Sequence, residues 1–229
     1  MIGAVMPAYN HGKFLAEAIA SVEPQVDRLV VVDDASTDIT QEVLKGKHHI
    51  RLHENKGAAN AINVGIDSLR GERQDWTWLT WVSADNIMAS DWVSTLLSHA
   101  KDNHGAVYGG FQAFPTGGGL PKEHYCFKPY DPPFLGRSTN CYLGPAFLIR
   151  AQYWQDHRGK HSHDYDNWLR VEEALWADGK TILGVNKALC RYRMHMGQAT
   201  RSRKPGMFDA PYWLKQAKTR RKALQVTPC

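Results

Sequence analysis

The chain has 229 residues, enough to bury a full core in one domain with room for a subdomain. Its 43% hydrophobic and 22% charged content is ordinary for a globular protein, and no run reaches the roughly 18 apolar residues of a membrane span. The formal net charge of +5 favours anionic partners such as nucleotide phosphates, nucleic acid or anionic lipid, without choosing among them. Four cysteines without a C-x-x-C pair argue against a zinc ribbon, and no signal peptide precedes the first apolar run. The expectation is a soluble, reduced, cytoplasmic protein.

The apolar run 2–6, halted by Pro7, reads as a buried parallel strand. Phe14, Leu15, Ala18, Ile19 and Val22 follow at helical spacing. A second strand, 28–32, ends in Asp33-Asp34. Asp38 and Gln41 read as a capping box for a helix with Ile39, Val43 and Leu44 inward. A short strand near 50–53 precedes a helix that turns Ile62, Ile66 and Leu69 inward and stops at Gly71. A strand over 76–82 and a helix capped by Ser90, with Trp92, Val93, Leu96 and Leu97 on one side, complete the first half. This alternation predicts an α/β fold with an open, mostly parallel sheet covered on both faces.

The second half is less regular. Strands are expected at 106–110 and 145–150, a long excursion over 114–145, and a helix over 163–179 ended by Gly179. TILGV and ALCRYRM read as two further strands. From Arg201 the chain is strongly basic, with Asp209 as its one acid.

Ligands of such sheets bind beyond the carboxyl ends of the strands, where Tyr9-Asn10, Asp33-Asp34 and Asp85-Asn86 all fall. Each group has a plain reading beside the chemical one. Asp33-Asp34 suits a turn or cap, or accepts hydrogen bonds from a base or ribose. Asp85 suits a turn, or one ligand of a metal that bridges a diphosphate. Asp164 suits a helix N-terminus, or a general base. His195 closes the segment YRMH.

Together the segments VMPAYNHGKFLAEAIASV, LVVVDDASTDIT, NKGAANAINVGIDSLRGE, WLTWVSADN, GPAFLIRAQYW, HDYDNWLR and YRMHMGQAT resemble, in order and spacing, the family 2 glycosyltransferases over roughly residues 2–200. The resemblance implies the GT-A fold, an open mixed sheet flanked by helices with a Rossmann-like N-terminal half. Residues 1–105 would be the nucleotide-sugar half, 106–200 the acceptor half of the same domain, and 201–229 a basic C-terminal helix or tail. The implied reaction is inverting transfer from a nucleotide sugar, UDP-linked as the family's commonest donor, assisted by Mn2+ or Mg2+. Asp164 is implied as the base. Pro7, Ala8, Tyr9, Asp33, Asp34, Asn63, Ser83 and Ala84 are implied around the donor, and Asp85 and His195 at the metal. Three positions depart from the family pattern: Ser83 stands for the first acid of D-x-D, Ile62 for an arginine beside Asn63, and His163 for the glutamate before the base.

The resemblance leaves the acceptor open. A saccharide or lipid-linked glycan is the leading expectation. The basic tail also suits a docked helix, attachment to anionic lipid at a membrane periphery, or contact with nucleic-acid phosphates. The last gives a concrete alternative, glycosylation of a hydroxymethylated base in viral-type DNA. A non-catalytic sugar-nucleotide-binding protein is the alternative from another class.

Overall fold

A computed structural model describes residues 1–117, 122–130, 144–157 and 164–196, with backbone only at 164–166. The basic tail, His163 and most of the 114–145 excursion lie outside the described residues.

The first strand, β1 (Ile2–Ala8), is flanked in parallel by β2 (Arg28–Asp33) and β4 (Trp78–Trp81). Such a central strand is covered on both faces, which is why its residues are apolar almost without alternation. Its side chains still divide by the two-residue period. Ala4 and Met6 join Leu15, Ile19 and Val22 of α1 (Gly12–Val22), and Trp92 and Leu96 of α4 (Trp92–His99). Val5 joins Ile62, Ile66 and Leu69 of α3 (Ala58–Glu72) in the core on the other face. The α3 backbone lies close to β1 at Gly65, where a Cβ would come within 2.4 Å of Val5 Cγ1.

With β3 (His49–Arg51), β5 (Ile87–Met88), β6 (His104–Pro115), β8 (Ala146–Arg150) and β9 (Thr181–Met194), the sheet runs in the order β3-β2-β1-β4-β8-β6-β9-β5, and β7 (His124–Cys126) is added to β6. Parallel pairing holds from β3 to β4 and again between β6 (His104–Pro115) and β9 (Thr181–Met194). Strand β8 (Ala146–Arg150) runs antiparallel to both its neighbours, so the sheet is mixed and continuous across both halves. Among the described residues no helix is long and apolar enough to cross a membrane.

Several expectations are corrected. Strand β1 passes through Pro7 to Ala8, because Ala8 still pairs with Asp33 of β2. On the other side its ladder with β4 ends at Val5↔Trp81, and Pro7 has no N–H to carry it further. The helix after Asp38, α2 (Thr40–Val43), is a single turn with no side-chain cap, and Ile39 is 50% exposed. Helix α3 runs past Gly71 to Glu72, and α4 is preceded by Asp91, not capped by Ser90. TILGV and ALCRYRM are one strand, β9. The register passes from Gly109↔Val185 to Gly110↔Ala188, so Asn186 and Lys187 form a bulge where their polarity suggests a break. Helix α5 (Asp164–Ala177) lies within the expected span.

Candidate active site

The loops after β1, β2, β4 and β9 meet at one end of the sheet. Two of them are locked together by Asn10, whose left-handed backbone (φ 55°) is one that asparagine tolerates better than most residues. Its Oδ1 accepts the Thr37 and Asp38 N–H groups at 2.8 and 3.3 Å, and its own N–H donates to Ser36 Oγ at 2.9 Å. Asp38 strengthens the lock. Its Oδ2 accepts the Gly12 N–H at 2.9 Å at the start of α1, and its Oδ1 accepts the Thr40 N–H. Asp38 thus divides its oxygens between α1 and the first residue of α2, and Gln41, the other half of the expected capping box, turns to donate to Asp33.

Asp33 and Asp34 are both buried, at 0% and 2% exposure, and both carboxylates are occupied. Asp33 Oδ1 accepts the Ser36 N–H at 2.9 Å, and Oδ2 accepts Arg51 Nη1 at 2.8 Å together with Gln41. Asp34 Oδ1 and Oδ2 accept the Lys56 and Gly57 N–H groups at 2.9 and 2.7 Å. Gly57, in a left-handed backbone at φ 90°, precedes α3, so Asp34 fastens the entry of that helix to β2. Asn63 is likewise occupied: its amide donates to and accepts from the His157 backbone at 2.7 and 2.8 Å.

Asp85 lies between β4 and β5 (Ile87–Met88), and its surroundings are different. Strand β9 pairs with β5 at Ile87↔Arg191 and so carries Arg193 and His195 against the Asp85-Asn86 turn. His195 Nε2 is 3.1 Å from Asp85 Oδ2. Arg193 braces the turn from behind. Its N–H donates to Asn86 Oδ1 at 3.1 Å, its Nε to the Asp85 carbonyl at 2.9 Å, and its Nη2 to Glu17 at 2.5 Å. The guanidinium also lies over the Phe14 ring, 4.6 Å from its centroid.

His11 completes the cluster. One potential donor atom from each of His11, Asp85 and His195 lies within 4.8 Å of the other two. The His11 and His195 rings meet edge to face with centroids 6.2 Å apart. His11 Nδ1 is buried and has no hydrogen-bond partner. Burial holds the His11 imidazole below its ordinary pKa, against the pull of the Asp85 carboxylate. A carboxylate, a neighbouring imidazole and an unpartnered ring nitrogen form a donor set that fits a divalent cation. The cluster borders a cleft of about 560 Å³ lined by Tyr9, Lys13, Phe14, His195 and Met196, among others.

The structure thus brings Tyr9 and His195 to one cleft, with the buried Asp85 in contact with the His195 ring. Tyr9 is 44% exposed, whereas the side chains of Ala8 and Ala84 are buried in the α1-side core. Pro7 and Ser83 are half-buried, and the Ser83 carbonyl accepts the Asn86 N–H at 3.3 Å. Asp164 is the first residue of α5, and its side chain lies outside the described residues. Sequence reasoning missed His11 and Arg193. His11 carried a usable signal, since it follows Tyr9-Asn10 at a strand end; Arg193 stood inside the segment YRMHMGQAT without any sign of which turn it braces.

A mixed sheet with this strand-end crevice is the GT-A arrangement. The chain belongs to glycosyl transferase family 2, whose model matches residues 4–158. It is 24% identical over 225 residues to an uncharacterized glycosyltransferase of Rickettsia prowazekii, covering 87% of this chain and 66% of that one. It is 25% identical over 227 residues to the glycosyltransferase GlyG of Streptococcus pneumoniae, covering 88% and 73%. The chain therefore spans about two thirds of the first relative's length and somewhat more of the second's. Among solved structures it is similar to glucosyl-3-phosphoglycerate synthase from Mycobacterium tuberculosis in complex with Mn2+, UDP-glucose and phosphoglyceric acid. That match has a TM-score of 0.62 and 18% identity, and covers 95% of this chain and 79% of that one.

Proposed function

We propose that the protein transfers a sugar, with inversion, from a UDP-linked donor to an acceptor hydroxyl on a saccharide or lipid-linked glycan. The observation that carries this reading is the contact of Asp85 with His195 at the strand-end cleft, beside the exposed Tyr9. Similarity to a synthase solved with Mn2+ and UDP-glucose supports the choice of donor.

Asp85 and His195 would hold a divalent ion, Mn2+ or Mg2+. Bound there, such an ion supplies positive charge to the diphosphate leaving group. Arg193 keeps Asp85 in place through the Asp85 carbonyl. Pro7 and Tyr9 line the donor's base or ribose. Asp33, Asp34 and Asn63 act one layer back. Asp33 presents Arg51 and Gln41, Asp34 fixes the loop that opens α3, and Asn63 fixes the backbone at His157. Asp164 takes the acceptor proton as the acceptor oxygen bonds to the anomeric carbon and the bond to the diphosphate breaks. Such base assistance is typically worth about 10²–10⁴-fold. Residues 1–105 carry the donor side and 106–200 the acceptor side.

The test is hydrolysis of, and transfer from, a panel of nucleotide sugars with Mn2+ or Mg2+, in the wild type and Asp164→Ala. Turnover with UDP-sugars that is lost in the variant is expected. Tight UDP binding without turnover in either protein would overturn the enzymatic reading in favour of a binding protein.

A further inference from the structure

We infer that His11 is a third metal ligand, which makes the site a two-imidazole, one-carboxylate centre, less suited to Mg2+ than to first-row transition ions. The inference rests on the proposed metal site at Asp85 and His195 and extends it by one residue from a different loop.

Three observations converge on His11. It offers a donor atom within the same 4.8 Å envelope as Asp85 and His195. Ligand atoms at about 2.1 Å from one ion lie about 3.0 Å apart when adjacent and about 4.2 Å apart when opposite, so the widest pair closes by up to about 1.8 Å. That is within the reach of side-chain rotations. Second, Nδ1 of His11 is buried with no partner, whereas buried polar atoms are nearly always satisfied. Coordination of an ion by this ring would give the orphaned nitrogen the partner that it lacks. Third, the backbone that carries His11 is fixed before any ligand arrives. The His11 carbonyl accepts the Phe14 and Leu15 N–H groups, Gly12 is held by Asp38, and Asn10 is pinned to residues 36–38. Pre-set ligands lose little freedom on binding.

The donor chemistry sets the preference. Mg2+ favours hard oxygen ligands and sheds water reluctantly, whereas imidazole nitrogen suits first-row transition ions, with Mn2+ the weakest binder of that series. One carboxylate among two imidazoles also leaves a cation undercompensated until a diphosphate adds its oxygens. Mn2+ should therefore bind more tightly with UDP present than alone.

The full chain is titrated with Mn2+, alone and with UDP, and free Mn2+ is followed by electron paramagnetic resonance. Directly coordinated 14N nuclei are counted by electron spin echo modulation. The wild type should show two nitrogens. His11→Ala should show one and bind Mn2+ about 10–100-fold more weakly, the range known for partners of metal ligands, with Mg2+ affinity less changed. Unchanged affinity and nitrogen count in His11→Ala would overturn the inference. If Asp85→Ala still loses Mn2+ in that case, the metal reading stands without His11; if it does not, both fall. Should His11→Ala fail to fold, the wild-type count decides alone, since a single nitrogen refutes the third ligand. Absence of Mn2+ binding by the wild type, even with UDP, refutes the inference together with the site.

Discussion

Asp33-Asp34 and Asp85 are acids of the same kind, each at the end of a buried strand, yet they are in opposite conditions. The first pair is saturated: every carboxylate oxygen accepts a hydrogen bond from the protein's own backbone or side chains. The second has a histidine as its side-chain partner and an unpartnered imidazole nitrogen nearby. A saturated acid is a fastening. An acid among donors with valence to spare is a place for a ligand. Position at a strand end therefore finds the crevice, but satisfaction of the hydrogen bonds separates its frame from its chemistry.

Crossed measurements of activity and stability can break this contrast. The largest effect is expected from Asp85→Ala. Turnover should fall by about 10²–10³-fold, the scale set by removing one preorganised electrostatic contact, while denaturant unfolding changes less than in Asp34→Ala, because one side-chain contact is lost instead of the partners of two backbone N–H groups. Asp34→Ala should do the reverse. It strands two backbone N–H groups, each worth about 1–3 kcal/mol, so denaturant unfolding should show a loss of about 2–4 kcal/mol. Mn2+ affinity per folded molecule should hold. Arg51→Ala leaves the buried Asp33 short of one charged partner. Because Arg51 itself is 45% exposed, water replaces part of the contact, and about 1–2 kcal/mol should be lost. Asn10→Gly keeps the left-handed backbone but removes the bonds from Oδ1, and should cost about 1 kcal/mol in thermal or denaturant unfolding. A large turnover defect in Asp34→Ala at full folding, or a large stability defect in Asp85→Ala, would erase the distinction.

The first half was legible because its signals are local. Apolar runs without alternation mark covered strands, and the switch to helical spacing marks what covers them. The resemblance to family 2 then placed Asp85 and His195 together. What could not be read depended on partners distant in the chain. Asn186-Lys187 looks like a turn unless β6 is known to continue beside it. Asp38 looks like a cap for its own helix, but the unsatisfied N–H of Gly12 lies within reach. Arg193 looks like one more basic residue of a polar strand, and only the pairing of β9 with β5 reveals that it holds Asp85.

Strand β9 is the last strand described in the chain, yet it is not an edge: it lies between β6 and β5. A hairpin can form early from its own neighbours, but a late strand that fills an interior slot must find a sheet already laid out on both sides. His195 follows that strand, so Asp85 meets its partner, 110 positions away, only once the slot is filled. Ion binding would then act as a latch on assembly, absent from any partly folded chain and adding its free energy only to the finished one. On the proposed metal reading, retention of a divalent ion would be a direct report that this slot is filled.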